Sequence, residues 1–148
     1  MKRIITGIVS AALAAALVFC LAGCSKYAAH YAAVGYVHSE TSRRGDMTFA
    51  SFEGTEVFKF RSGREQDSVV FNATLESGRM TVYVDCGDGS KRELFTLSSG
   101  GHTEGSGEIF TVSGPIYVIV ETDGKCENGK LCVILASGLA TSFPDSSI

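Results

Sequence analysis

Ser68-Val69-Val70-Phe71-Asn72-Ala73-Thr74-Leu75-Glu76-Ser77-Gly78-Arg79-Met80-Thr81-Val82-Tyr83-Val84-Asp85-Cys86 alternates apolar and polar residues on both sides of one Ser-Gly pair. A period of two marks a strand with one buried face. Read as a two-residue turn, Ser77-Gly78 sets Glu76 against Arg79, an opposite-charge cross-strand pair. The same register sets Leu75 against Met80, Ala73 against Val82, Phe71 against Val84 and Val69 against Cys86. Those eight share the core face. Asn72, Thr74, Thr81, Tyr83 and Asp85 fall on the solvated one.

The pattern extends in both directions. Candidate strands are 47–52, 55–61, 68–75, 79–86, 93–97, 108–113, 116–122 and 130–137, separated by glycine-bearing turns such as Glu53-Gly54 and Gly114-Pro115. Asn128-Gly129 is the strongest short hairpin signal in the chain. It pairs Glu127 with Lys130 and Cys126 with Leu131, and aligns Leu131, Val133 and Leu135 with Val120, Val118 and Ile116. Ile119 and Ile134 lie on the other face, so this hairpin is expected either to be covered on both sides or to lie centrally. Outside the N-terminal segment nothing sustains a helical period. The expectation is all-β: an antiparallel two-sheet sandwich, jelly-roll-like, built from short strands and glycine turns.

The first 23 residues read differently. Lys2 and Arg3 precede an apolar run from Ile4 to Leu21, which has the form of a secretory signal. The run ends in Leu21-Ala22-Gly23-Cys24, which resembles the lipobox of bacterial lipoproteins. That resemblance implies cleavage after Gly23 and a diacylglyceryl group on the Cys24 sulfur, with further acylation. Each buried methylene contributes about 0.8 kcal/mol, so two or three acyl chains hold a protein stably on a bilayer. The expected organisation is a signal peptide over 1–23, a lipidated cysteine and tether over 24–45, a sandwich over 46–139 and a tail over 140–148. Location on the extracytoplasmic face of the cell membrane follows.

Of 148 residues, 13 are Lys or Arg and 16 are Asp or Glu. Removing Lys2 and Arg3 leaves 11 basic against 16 acidic, a net charge of −5, with no basic surplus for nucleic acid. The strand pattern over roughly 54–136, ending in a Pro-Ile-Tyr-Val-Ile-Val strand and an Asn-Gly pair, makes the domain similar to the jelly-roll-type accessory domains of secreted peptidases. Such a likeness carries a fold and no activity.

Three cysteines remain after Cys20 is discarded and Cys24 lipidated. Cys86 continues the inward series Met80, Val82, Val84, and Cys126 the series Ile116, Val118, Val120. A Cys86–Cys126 bridge is therefore expected, closing about 40 residues at a chain-entropy gain of roughly 3–4 kcal/mol. Cys132 has the opposite parity and is expected to be free. His30, His38 and His102 form no metal-binding spacing, so no metal or cofactor beyond the Cys24 lipid is expected. Residues 98–107 hold Ser98, His102 and Glu104 without a nucleophile elbow, and read as a flexible loop. No catalytic set can be named, and an enzyme is not expected.

The remaining leads are aromatic. Tyr83 and Tyr117 fall opposite the core series and define a possible binding face. The expected role is a monomeric, lipid-anchored, non-catalytic domain binding a protein or envelope component. The alternative is a carbohydrate- or cell-wall-binding module stacking sugars on Tyr83 and Tyr117, which requires those rings to be open.

Overall fold

The computed structural model describes residues 26–61, 67–109 and 115–137. The signal segment, Gly23, Cys24 and the 140–148 tail lie outside the described residues. No helix occurs among the described residues, and nine strands do. They are β1 (His30–Val34), β2 (Val37–Glu40), β3 (Arg44–Arg61), β4 (Asp67–Ser77), β5 (Arg79–Asp85), β6 (Arg92–Ser98), β7 (Gly101–Ile109), β8 (Pro115–Thr122) and β9 (Cys126–Ser137).

The strand order is β6-β5-β8-β3-β9-β4-β7, with β1 and β2 also paired to β3. The registers reveal a simpler object. β3 runs antiparallel to β9 through its first half and to β8 through its second. β4 and β5 then follow β9 and β8, and β7 and β6 follow β4 and β5. The sheet is thus four long antiparallel ribbons, each bent near its middle, at Gly54, Gly78, Gly100 and Gly124.

Bending folds the sheet onto itself. One layer holds β7, β4, β9 and the first half of β3 with β1 and β2. The other holds β6, β5, β8 and the second half of β3. Contacts between the layers show the closure. The Phe58 ring lies so close over Gly45 that a Cβ there would be 2.5 Å from it, and Phe71 meets Phe95 at 4.5 Å. Phe52, Phe58 and Phe60 are fully buried between the layers. Each such ring contributes on the order of 1.5–3 kcal/mol through removal from water. The architecture is the expected all-β antiparallel sandwich. Its bends lie at one end, the corner end. The turn 86–91 lies at the other, the turn end, where Arg61 N donates to Ser42 O at 2.9 Å.

Within that architecture several local expectations are corrected. Ser77-Gly78 does not reverse the chain: β4 pairs with β9 and β7, β5 with β8 and β6, and the two run end to end. Gly78, at φ 104°, makes a corner. Glu53-Gly54 likewise bends one 18-residue strand instead of separating two. Asn128-Gly129 lies inside β9, where Phe49 pairs with Gly129 and Ser51 with Glu127 in unbroken register. Gly129 is there because a Cβ would sit 2.2 Å from the Phe49 ring. Residues 101–107 of the expected loop belong to β7, with His102 and Glu104 exposed. The tether carries β1 and β2, which pair with β3 and leave no free linker between Lys26 and the sheet.

Candidate functional site

In the second layer Met80, Val82, Val84, Ile116, Val118 and Val120 point inward. Alternation therefore turns Tyr83, Asp85, Tyr117 and Ile119 outward. Tyr83 pairs with Ile119 and Asp85 with Tyr117, so the two tyrosines are diagonal neighbours on one face, as the sequence pattern requires.

That face is covered. Tyr117 is only 8% exposed, with the Tyr27 ring packed edge-on against it at 5.3 Å. The Lys59 ammonium lies 6.0 Å from the Tyr117 ring centre, and Lys91 stands 4.4 Å over Tyr83 while pairing with Glu121. Ile119, between them, is 1% exposed. No row of open rings is available for stacking.

Asp85 is the centre of this cover and is fully buried. The Tyr27 hydroxyl donates to its Oδ2 at 2.7 Å, and the Lys26 ammonium lies 2.8 Å from the same atom. Its Oδ1 accepts the backbone N–H groups of Gly87 at 2.9 Å and Gly89 at 3.2 Å, the self-capping turn that an Asp before glycines makes readily. Burial alone would raise this carboxyl. The bonds from Lys26, Tyr27, Gly87 and Gly89 outweigh it and hold the group down at about 2. Burial and the Asp85 bond push the Tyr27 phenol up to about 12. The residues just after Cys24 are therefore strapped to the sheet. Nothing in the sequence pattern marks Lys26 and Tyr27 for this, because the partner of Tyr27 lies 58 residues away.

A second cluster sits on β2 and β3. Glu56 is 4% exposed, accepts a short bond from the Tyr36 hydroxyl and takes Val57 N at 2.9 Å. His38 Nδ1 lies 3.0 Å from the Tyr36 oxygen, and its ring stacks on Phe58 at 5.1 Å. Burial and the Glu56 carboxylate push the Tyr36 phenol far above its ordinary range, which keeps it a donor. The cluster clasps β2 to β3.

The expected Cys86–Cys126 bridge is not formed: Cys86, Cys126 and Cys132 are all free and buried. Cys126 lies at the corner end, its Sγ donating to Arg79 O at 3.3 Å. Cys86 lies at the turn end, where Arg92 Nη2 donates to its Sγ at 3.1 Å. Seven extended residues, about 23 Å, separate Arg79 from Cys86. Shared parity placed both inward but said nothing of which end each occupies. The thiol of Cys132 is pushed up to about 12 by burial and by Asp46.

Two open features remain. A shallow cleft of about 280 Å³ at the turn end is lined by Glu40, Thr41, Ser42, Lys59 and Arg61. Tyr31, Val34 and Val37, the large apolar residues exposed among the described ones, all lie on β1 and β2. No partner strand covers the outer edge of β1 and β2 among the described residues.

No family model and no curated protein matches the chain. Among solved structures it is similar to a protein described as CBM4, at 9% identity and a TM-score of 0.38, covering 77% of this chain and 89% of that one. It is also similar to Drosophila melanogaster CENP-C bound to CAL1, at 16% identity and a TM-score of 0.32, covering 86% and 99%. For the Drosophila melanogaster CENP-C cupin domain the values are 17%, 0.30, 73% and 75%. At these values the likeness transfers no site and no activity.

Proposed function

We propose that this chain is a lipid-anchored domain on the extracytoplasmic face of a bacterial membrane, without catalysis of its own, that binds a protein partner along the β1–β2 edge. The observation that carries the binding reading is that edge. Val34 and Val37 are 66% and 67% exposed on an edge whose outer backbone groups have no sheet partner among the described residues. An apolar, unpaired edge is a template for an added strand, with backbone bonds giving affinity and side-chain contacts giving selectivity. The anchor reading is supported by Leu21-Ala22-Gly23-Cys24 after an apolar run. The sugar-stacking alternative is not favoured, because Tyr117 and Tyr83 lie under Tyr27 and Lys91.

Crosslinking on intact envelopes followed by purification tests both parts. A partner captured by the wild-type chain is expected to be lost from a Val34→Lys, Val37→Lys double variant that folds normally. Equal capture by that variant removes the edge from consideration. Cys24→Ser is expected to release the protein from washed membranes; retention there refutes the anchor.

A further inference from the structure

We infer that the turn end of the sandwich, with the turn 86–91 foremost, is held against the lipid surface, so that the domain stands upright with its corner end outward. The inference rests on the lipid anchor proposed above and adds an orientation that the anchor alone does not supply. A lipidated cysteine on a free linker of about twenty residues would let a domain tumble. Here Lys26, two residues after Cys24, is bonded to a buried carboxylate beside the turn 86–91. Lys26 also packs on that turn, its ammonium only 3.1 Å from where a Cβ on Gly89 would be. Two residues reach at most about 7 Å, so a sulfur at the bilayer interface keeps this end of the sheet beside it.

The strap is held firmly enough to act as a mount. Releasing Lys26 and Tyr27 would take from the Asp85 carboxylate two of the four donors that hold it, leaving only the backbone N–H groups of Gly87 and Gly89. The charge distribution runs the same way. At the corner end Glu53, Glu76, Asp123 and Glu127 outnumber Arg79 and Lys125, a balance that an anionic membrane repels. Lys59, Arg61, Lys91 and Arg92 lie at the turn end, with Glu40 and Asp88 among them. In this pose β1 and β2 run from the corner end toward the membrane, and their open edge faces sideways.

The chain contains no tryptophan, which allows a direct test. Single Ser90→Trp and Lys125→Trp variants of the full-length protein, processed in cells, are reconstituted in phosphatidylethanolamine–phosphatidylglycerol vesicles carrying a headgroup nitroxide. The short reach from the anchor predicts that the Ser90→Trp signal is quenched about threefold more strongly than the Lys125→Trp signal. A Lys26→Ala, Tyr27→Ala background is expected to erase that difference while co-sedimentation with vesicles persists. Equal quenching of the two tryptophans in co-sedimenting, lipidated protein overturns the orientation and leaves the anchor standing. Protein that neither carries lipid on Cys24 nor co-sediments overturns both.

Discussion

Asp85 shows how one side chain can serve the whole fold. Its carboxyl is held at about 2 against an ordinary 3.8, so its bonds contribute stability that is full above about pH 4 and lost as pH falls through about 2. Tyr27, raised to about 12 from 10.0, contributes below about pH 10 and loses that contribution as pH rises toward 12. A buried carboxyl held that far below its ordinary value stabilises the fold by about 2 kcal/mol. Asp85→Asn is therefore expected to unfold more easily in urea at pH 7 by about that amount, and the gap should narrow below about pH 4 and be mostly gone at about pH 2. An unchanged gap at the lower pH would mean that the ion pair is not its source. The thiols make a second residue-scale case. Thiolate is the reactive form, and burial raises the Cys126 and Cys132 thiols. Neither is expected to take up iodoacetamide in folded protein at pH 7.5, whereas denatured protein should expose Cys86, Cys126 and Cys132 together. Intact mass after labelling checks this, and rapid native alkylation of Cys132 would contradict its burial beside Asp46.

The elements turn on what a glycine does between two strands. The corner at Gly78 has φ 104°, and a Cβ there would meet Cys126 Sγ at 2.7 Å. Gly124 has φ 78° with nothing within 4 Å. Gly124→Ala should thus cost only the backbone strain of a left-handed residue, about 1 kcal/mol, while Gly78→Ala adds a clash and should cost about 3 kcal/mol. Chemical denaturation of the two variants gives the order, and equal losses would show that the corner yields. This geometry also explains which part of the fold is legible in sequence. All eight residues of the 69–86 core series, and Leu131, Val133 and Leu135, do lie in the core. Inward parity is a local property and survives any pairing. Pairing is not local: a two-residue turn and a bent strand both flip parity across a glycine, so Leu75 and Met80 face inward either way. Ser77-Gly78 and Asn128-Gly129 fit a hairpin on chemistry alone. What decides is the ladder already offered by β8 and β9 to β4 and β5, from residues far along the chain. The strap, the Tyr36–Glu56 clasp and the separation of Cys86 from Cys126 were hidden for the same reason.

At the scale of the molecule, cohesion rests on ribbons flanked on both sides, with no cross-link among Cys86, Cys126 and Cys132. The ribbon β8–β9 lies between β3 and β4–β5 along its whole length, and Val118, Val120, Leu131 and Val133 are fully buried. By contrast β1 and β2 pair only with β3 among the described strands, and all their residues except Ala33 are exposed. Local opening follows buried contact and paired backbone, so the two regions should open at different free energies. Native-state hydrogen exchange is expected to release the β1 and β2 amides first, and those of Val118, Val120, Leu131 and Val133 only on global unfolding. The Tyr36–Glu56 bond ties the edge to β3, so Tyr36→Phe should speed exchange in β2 several-fold and leave the β8–β9 amides unchanged. Acceleration in both regions would make the edge part of the cooperative core. Confined to β2, it would identify a separately adjustable strand, which is what an edge needs if it is to open for a partner while the sandwich stays folded on its strap.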